Sequence, residues 1–268
     1  MQPVTLAEAL ELAAFGGKAV QLGAALRAGL PSPPGFALPV SLVDAVAAGD
    51  PPARATVAAL YAQLGGALAV RSSAVGEDSA DASFAGQHLT VLNVRDAGAV
   101  VDAVVRVWES GRSASALAYR KKLGIAGEPQ VAVVVQRLID AECAGVLFTR
   151  NPINGADERL IEATWGLGEA VVAGLVTPDQ FRISRTGAIL ARTAGHKDLA
   201  ILPQPDGGTA EVELDSARAA QLCLTDAQLA DLHALATRCE QVYGGTQDLE
   251  WAFAAGRLYL LQRRALTR

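Results

Sequence analysis

The part of the sequence that most constrains the fold is the segment DLEWAFAAGRLYLLQRR, which begins at Asp248. Apolar and polar residues alternate on both sides of Gly256, a pattern that predicts two antiparallel strands joined by a tight turn. Pairing centred on that glycine places Glu250 opposite Gln262 and Asp248 opposite Arg264. Because side chains alternate along a strand, these polar groups share one face. The other face is then predicted to be apolar and to carry Leu249, Trp251, Phe253, Tyr259 and Leu261.

The polar face of this predicted hairpin suits metal and phosphate chemistry. It offers a carboxylate from Glu250 beside an amide oxygen from Gln262, and hard oxygen donors of this kind suit Mg²⁺ carried in with phosphates. Arg264 lies one step further along and can bind the phosphate itself. The alternative is the solvent-facing side of an amphipathic hairpin, and spacing alone leaves both open. Leu258 and Leu260 fall on the polar face in this register, which indicates that the face is at least half covered.

A second stretch, LAVRSSAVGEDSADASFAGQHLTVLNV at 68–94, has the composition of a phosphate-binding loop. A short apolar strand delivers Arg71 into a segment rich in serine and glycine, and a second strand follows from Thr90 to Val94. Backbone N–H groups near Gly86, serine hydroxyls and a guanidinium are the donors that an oligophosphate needs. An ordinary surface loop that carries one arginine is the alternative.

A lysine near the N-terminus provides a third candidate for phosphate binding. Thr5 caps a short first helix, Gly16 and Gly17 end it, and a second helix is predicted over 19–28. Lys18 therefore lies at a helix N-terminus, where backbone N–H groups and a positive charge favour an anion. The frame of a Walker A motif is missing.

The middle of the chain predicts alternating strands and helices. The β-branched run 131–139 predicts a buried strand, and 145–149 is its expected partner. Gln136 within that strand is either a satisfied core amide or a contact to a nucleotide base or ribose. The segment 194–206 is expected to be a loop, and Thr225 with its partner Gln228 caps a helix. Since no regular βαβ repeat is present, the predicted class is α+β.

Composition sets the broad class of protein. The chain has 268 residues, of which 51% are hydrophobic and 19% charged, and its net charge is −5. A chain of this size buries a sizeable core, and its negative charge argues against a nucleic-acid or anionic-membrane surface. Three cysteines without CxxC spacing are expected to be packed thiols. No leader and no run of eighteen apolar residues is found, so a cytoplasmic protein without a membrane span is expected.

Taken together, these segments resemble the nucleotide-binding domain of the phosphoenolpyruvate synthase, pyruvate phosphate dikinase and rifampin phosphotransferase superfamily. The resemblance is carried by five blocks in order: GGKAVQLGAALRAGLPSPPGFAL at 16–38, VRSSAVGEDSADASFAGQHLTVLNV at 70–94, VVVQRLIDAECAGVLFTRNP at 133–152, IEATWGLGEAVVAGLVTPDQF at 161–181 and LEWAFAAGRLYLLQRR at 249–264. It implies an ATP-grasp-like α+β fold of two lobes, 1–188 and 189–268, with the nucleotide between them. Two positions depart from the family pattern, Val75 for threonine and Ala265 for proline.

The resemblance also implies a set of residues that bind ATP and Mg²⁺. Lys18, Arg71 and Arg264 are expected to act on the phosphates as the catalytic residues, and Glu250 with Gln262 to hold Mg²⁺. The remaining expected contacts to the nucleotide come from Gly86, Thr90, Gln136 and Lys197.

The activity implied is phosphoryl or pyrophosphoryl transfer from Mg·ATP, with a histidine on a separate protein or domain as the acceptor and an unknown small molecule beyond it. The phosphohistidine domain and the acceptor domain of relatives are expected to be absent from this sequence. None of the three histidines (His88, His196 and His233) has the Gly-rich, Ser-His context of a carrier, and His233 is expected to be exposed on a helix. A stand-alone small-molecule kinase or ATP-grasp ligase is one alternative, and an ATP-sensing module without turnover is another.

Overall fold

The computed structural model describes residues 2–74, 89–122, 124 and 127–266. Residues 75–88, which include Val75, Gly86 and His88, lie outside the described residues. The helices within the described ranges are α1 (Leu12–Arg27), α2 (Val40–Ala47), α3 (Pro51–Leu64), α4 (Ala97–Ser110), α5 (Ala114–Lys122), α6 (Glu169–Val172), α7 (Ser216–Ala220) and α8 (Asp226–Tyr243). The strands are β1 (Val4–Thr5), β2 (Gly35–Leu38), β3 (Leu68–Ala74), β4 (Thr90–Val94), β5 (Val131–Arg137), β6 (Cys143–Phe148), β7 (Glu158–Trp165), β8 (Asp179–Ser184), β9 (Ile189–Thr193), β10 (Leu199–Pro203), β11 (Thr209–Glu213), β12 (Gln247–Ala254) and β13 (Arg257–Ala265).

The chain forms two compact units, and the predicted α+β class is confirmed. The first unit comprises the described residues within Met1–Arg27, Pro33–Leu138 and Gln204–Gly208, and the second those within Ala28–Ser32, Ile139–Pro203 and Thr209–Arg268. The predicted lobe boundary at 188/189 differs from this division. It falls in the turn between β8 and β9, two strands paired in one sheet of the second unit.

The first unit is built on a five-stranded sheet of order β1-β2-β5-β3-β4. Its central strand β5 reads VAVVVQR, and all residues but the last are buried, as a β-branched strand covered on both faces should be. One face packs against α2, α3 and α4 through a large cluster that includes Val70, Val133 and Val135. The other face packs against α1 through Val134 and Ala37.

Local sequence signals explain where several helices begin. The Asp50 side chain accepts a hydrogen bond from the Ala53 N–H at 2.8 Å ahead of α3, and prolines occupy the first helical positions. The predicted capping box at Thr225 and Gln228 is present at the start of α8. The predicted first helix is only a three-residue 3-10 turn (Leu6–Glu8), because the Glu8 carboxylate accepts hydrogen bonds from the backbone N–H and hydroxyl of Thr5 and closes the turn locally.

The second unit is built on a six-stranded antiparallel sheet of order β13-β12-β6-β7-β8-β9. The helix α8 packs on it, and the two-stranded sheet β10-β11 contacts β7 and α6. Two expectations are wrong here. The strand predicted at 145–149 pairs with β7 and β12 rather than with β5, and the expected loop 194–206 contains β10.

A side chain of β4 anchors the short returning segment of the first unit. Asn93 is buried and has a positive φ of 57°. Its Nδ2 donates hydrogen bonds to the carbonyls of Gln204 at 2.7 Å and Gly208 at 2.6 Å. These bonds hold both ends of the segment Gln204–Gly208, which connects β10 to β11.

Candidate functional site

Three predicted site residues share one face of the sheet in the first unit. Arg71 on β3 lies directly opposite Thr90 on β4 and Val134 on β5. Gln136 on β5 lies opposite Ala69, two residues before the arginine. Because residues directly opposite in an antiparallel pair lie on the same face, the guanidinium, the hydroxyl and the amide all emerge on the side that packs against α1.

Lys18 is brought to the same face by close packing between α1 and β3. Lys18 is 5% exposed, and its ammonium donates a hydrogen bond to the Ser72 carbonyl at 2.8 Å. The Ser73 hydroxyl donates to the Phe15 carbonyl at 2.7 Å and accepts from the Ala19 N–H at 3.0 Å. The helix start is therefore fixed to the end of β3, where the loop predicted to bind phosphate begins.

A glycine makes this contact possible. Gly16 has φ +72° and ψ 172°, and it interrupts α1 just before the start of the second helix that the sequence predicts. A Cβ at this position would lie 1.7 Å from the Ser73 carbonyl oxygen. Since no side chain can occupy that space, Gly16 is required both for its backbone conformation and for the approach of the strand.

Gln136 is 2% exposed, and its Nε2 donates to the Pro33 carbonyl at 2.8 Å. This bond supports the interpretation of Gln136 as a satisfied core amide. A contact to base or ribose stays a prediction.

The C-terminal hairpin of the second unit has the predicted register around its polar residues. Glu250 lies opposite Gln262, and Asp248 lies opposite Arg264. The Arg264 Nη2 donates to Glu250 Oε1 at 3.2 Å. A carboxylate, an amide and a guanidinium are thus grouped at one end of the hairpin, on one face of the sheet.

The predicted register is wrong near the turn because the hairpin contains a β-bulge. After the pair of Glu250 with Gln262, Trp251 pairs with Leu260, so Leu261 is an extra residue on β13. A slip of one residue exchanges the two faces of the strand. As a result Leu260 is fully buried beside Trp251 and Leu261 is only half-buried, the reverse of the prediction. The two-residue turn has positive φ at both Ala255 and Gly256, as a tight hairpin of this twist requires.

Lys197 is placed away from this polar group. It is fully buried and its ammonium binds the Asp179 carboxylate. That carboxylate also accepts hydrogen bonds from the backbone N–H groups of Gly195 and Cys223, both at 2.8 Å. In the register of the sheet Asp179 aligns with Trp251, so it lies on the face opposite to Glu250. The buried ion pair explains the position of Lys197 without a nucleotide.

The histidines that the structure describes have different environments. His196 is exposed, and its Nε2 lies 4.0 Å from Asp198 Oδ2. His233 on α8 is half-buried rather than exposed as predicted, because the turn at Gly187 packs against its ring. Burial and the nearby Arg159 guanidinium lower the pKa of His233 below its ordinary value.

The donor set for a metal ion is small. Among the described residues, no group of three or more His, Cys, Asp or Glu side chains could hold a metal ion. Glu250 and Gln262 supply two hard oxygen donors, which fits Mg²⁺ only if phosphates and water complete the coordination. No helix in the described ranges is long and apolar enough to cross a membrane.

Sequence reasoning missed two polar residues that organise these groups. Ser73 connects β3 to α1, and Asp179 fixes Lys197. The hydroxyl of Ser73 and the carboxylate of Asp179 indicate from the sequence that both can form hydrogen bonds. Their partners are distant in sequence and could not be identified without the fold.

The fold is that of an α+β protein, and each of its two units carries basic side chains that the sequence predicts to bind phosphate. The chain belongs to the family of the pyruvate phosphate dikinase AMP/ATP-binding domain, whose model matches residues 50–268. It is accordingly an ATP-binding domain of the phosphotransferase family that includes phosphoenolpyruvate synthase.

Curated relatives share this segment over part of their length. A probable phosphoenolpyruvate synthase of Methanothermobacter thermautotrophicus is 44% identical over 202 residues, which cover 75% of this chain and 29% of that protein. The prodigiosin synthesizing transferase PigC of Serratia marcescens is 37% identical over 96% of this chain and 32% of its own length. A rifampicin phosphotransferase of Streptomyces sviceus is 41% identical over 75% of this chain and 23% of its own. The chain thus spans about a quarter to a third of the relatives it matches.

Proposed function

We propose that this chain binds Mg·ATP in an ATP-grasp-like domain and transfers a phosphoryl or pyrophosphoryl group to a histidine on a separate protein or domain. The observation that carries the proposal is the grouping of Glu250, Gln262 and Arg264 at one end of the C-terminal hairpin, in a chain of an ATP-binding family. Those side chains combine two hard oxygen donors with a guanidinium, the pair of functions that a metal-bound phosphate requires.

In this proposal the protein contributes position and charge rather than a covalent intermediate. Lys18, Arg71 and Arg264 act as catalytic residues by binding the phosphate oxygens on which negative charge develops. Thr90 lies beside Arg71 and, with Gly86 in the preceding loop, closes over the phosphates. Lys197 stays a predicted contact to the nucleotide, although its ammonium is bound to Asp179.

Glu250 and Gln262 are the residues that would hold Mg²⁺. The ion, when bound, neutralises charge on the phosphates. Gln136 would contact the base or ribose of the nucleotide. Since relatives named for different activities share this domain, the final acceptor is expected to be recognised by other parts of those proteins.

Product analysis separates this function from its alternatives. The purified chain is incubated with Mg·ATP, alone and with candidate acceptors or cell extract, and the nucleotides are resolved by chromatography. AMP or ADP that appears only with a second protein supports transfer to a separate histidine carrier. ADP formed with a small acceptor alone supports a stand-alone kinase or ligase, and ATP bound without turnover under any condition supports a sensor.

The site itself is tested by removing one guanidinium. Arg71→Ala should weaken nucleotide or transition-state binding by at least about 2 kcal/mol, because it removes a charge-assisted contact to phosphate. Calorimetric titration with Mg·ATP measures the effect. The matched control is Arg106→Ala, an exposed arginine on α4 of the same unit. Unchanged affinity and activity for Arg71→Ala would contradict the assignment of the site.

A further inference from the structure

The metal-binding pair proposed above belongs to a longer line of side chains that crosses the whole sheet of the second unit. In the register of the sheet, each residue of this line lies directly opposite the next. We call it the cross-strand row, and from β13 to β9 it consists of Gln262, Glu250, Val146, Glu162, Gln180 and Thr193. Because directly opposed residues share a face, all six lie on the face that carries Glu250.

The row contains a second carboxylate beside a second amide. Glu162 on β7 faces Gln180 on β8, as Glu250 faces Gln262. The Gln180 Nε2 lies 3.5 Å from Glu162 Oε1 and donates a weak hydrogen bond to it. Both side chains are half-buried. The carboxylate is therefore oriented by its neighbour and remains within reach of a ligand on this face.

The residues of the row from Glu250 to Gln180 are more exposed than their immediate neighbours on the opposite face of the sheet. On the opposite face the neighbouring residues are completely buried in the core: Leu249, Leu147, Ile161 and Phe181. On the face of the row, Glu250, Val146, Glu162 and Gln180 are all half-buried. Gln262 is 6% exposed, whereas the two carboxylates of the row, Glu250 and Glu162, are both half-buried, with the apolar Val146 between them.

The spacing and chemistry of Glu162 point to the sugar of the nucleotide. Glu162 lies two strand spacings from Glu250, with β6 between them, which is on the order of 10 Å at the usual spacing of neighbouring strands. That separation is too great for a second metal ion on the same phosphates, since paired catalytic ions lie about 4 Å apart. A carboxylate that already accepts an N–H from an amide is suited to accept further hydrogen bonds, and carboxylates recognise ribose hydroxyls in other nucleotide sites.

We propose that Glu162, oriented by Gln180, accepts a hydrogen bond from a ribose hydroxyl of the bound nucleotide and so selects ribonucleotides over deoxyribonucleotides. The inference rests on the proposed function, because it assumes that the phosphates lie at Glu250, Gln262 and Arg264. It adds a specificity-determining residue on β7 to that site.

The test compares nucleotides that differ only in one hydroxyl. Affinities for Mg·ATP, Mg·2′-deoxy-ATP and Mg·3′-deoxy-ATP are measured by calorimetric titration with the wild-type chain, with Glu162→Ala and with Glu213→Ala. Glu213 is an exposed carboxylate on β11, outside the six-stranded sheet, and serves as the matched control.

We expect the wild-type chain and the control to bind ATP roughly tenfold or more tightly than at least one deoxy analogue, because a charge-assisted hydrogen bond is lost. Glu162→Ala should weaken ATP binding by a similar factor and leave the affinity for that analogue unchanged.

Equal weakening of all three nucleotides by Glu162→Ala, or no weakening of any, would overturn the role of Glu162. A wild-type chain that binds ATP without discriminating against either analogue would overturn it even if the variant failed to fold. A wild-type chain that binds none of the nucleotides would instead refute the proposed function, and the inference with it.

Discussion

At the scale of single residues, the most consequential interaction in the second unit is the buried pair of Lys197 and Asp179. Both side chains are completely inaccessible to solvent, and the carboxylate receives two backbone N–H groups besides the ammonium. Removing two charges from water is costly, and the cost is offset only while both partners are present. The pair therefore stabilises the fold only as a pair, and removal of either charge alone should be destabilising.

We expect Asp179→Asn to lower the free energy of unfolding by about 3–5 kcal/mol, because it leaves the Lys197 ammonium buried without a counter-charge. Urea denaturation measures this loss. The control is Asp226→Asn, which breaks the exposed ion pair with Arg192 and should cost about 1 kcal/mol or less. Equal effects of the two substitutions would contradict the argument.

The double variant Asp179→Leu with Lys197→Met separates structure from nucleotide binding. Replacing a buried ion pair by apolar side chains removes the unpaired charge, so part of the lost stability should return, whereas the N–H groups of Gly195 and Cys223 still lose their acceptor. If the folded double variant binds Mg·ATP as the wild type does, Lys197 has a structural role. A selective loss of ATP affinity would instead support the predicted nucleotide contact.

A second residue-scale prediction concerns the carboxylate of Glu158. Its two oxygens accept hydrogen bonds from Arg182 Nε at 2.9 Å, Arg182 Nη2 at 2.8 Å and Asn151 Nδ2 at 2.7 Å. These donors lower the pKa of Glu158 below its ordinary value of 4.5. Since the folded-state pKa is the lower one, the interaction stabilises the folded chain above the unfolded pKa and is lost as the pH falls through the folded pKa.

The difference in unfolding free energy between wild type and Glu158→Gln should therefore be constant near neutral pH and shrink as the pH falls below the ordinary pKa of 4.5. Denaturation at a series of pH values measures it. Glu211→Gln, at an exposed position on β11, should show little difference from wild type throughout this range. A difference for Glu158→Gln that does not depend on pH would show that the carboxylate contributes through packing alone.

At the scale of secondary structure, the junction of α1 with β3 decides where Lys18 lies. Gly16 and Gly65 provide a matched pair of positions for testing this junction. Their backbones are similar, with φ and ψ of 72° and 172° at Gly16 and of 64° and 156° at Gly65. A Cβ on Gly16 would collide with the Ser73 carbonyl, whereas a Cβ on Gly65 would meet nothing within 4 Å.

Gly65→Ala should therefore cost only the backbone strain, about 1–3 kcal/mol. Gly16→Ala should cost clearly more, because α1 must also move away from β3. Thermal or urea unfolding of both variants measures the difference. Mg·ATP affinity should fall in Gly16→Ala alone, since the shift displaces Lys18. Equal stability losses and equal affinities would show that this contact does not position the lysine.

Local patterns predicted the elements better than they predicted the pairing of strands. The hairpin at its polar end, the helix break at Gly16 and the cap of α8 follow from turn and capping chemistry over a few residues. The bulge at Leu261 and the separation of β5 from β6 depend on contacts that a period-two pattern cannot specify. For the same reason, the candidate phosphate-binding residues could be chosen from the sequence by their chemical type. The ion pair of Lys197 and the cross-strand row could be identified only from the register of the whole sheet.

At the scale of the whole molecule, the reactivity of the three cysteines measures the opening of only one of the two units. Cys143, Cys223 and Cys239 all lie in the second unit and are buried. Burial raises the pKa of the Cys143 and Cys239 thiols to about 12, and burial together with the Asp179 carboxylate raises the pKa of Cys223 further. A thiol reagent can therefore attack only after this unit opens.

We expect the native chain to resist a disulfide-exchange reagent near neutral pH and to release three thiols on unfolding. Mg·ATP at about 100 times its Kd should slow labelling roughly a hundredfold if opening abolishes binding, because it stabilises the closed unit by about 2.7 kcal/mol. Labelling rates with and without nucleotide measure the effect, and ATP without Mg²⁺ is the control. Reaction of the native chain at the rate of an exposed cysteine would contradict the burial of these thiols.

The segment Gln204–Gly208, held by Asn93, has a consequence for how such a domain can be inherited. When this segment is counted, the chain crosses from one unit to the other five times, between residues 27 and 28, 32 and 33, 138 and 139, 203 and 204, and 208 and 209. Neither unit is therefore encoded by one uninterrupted stretch of the gene. Recombination that exchanges a single continuous segment cannot transfer one unit without fragments of the other, so the two units should be gained, lost and fused to other domains only as a pair.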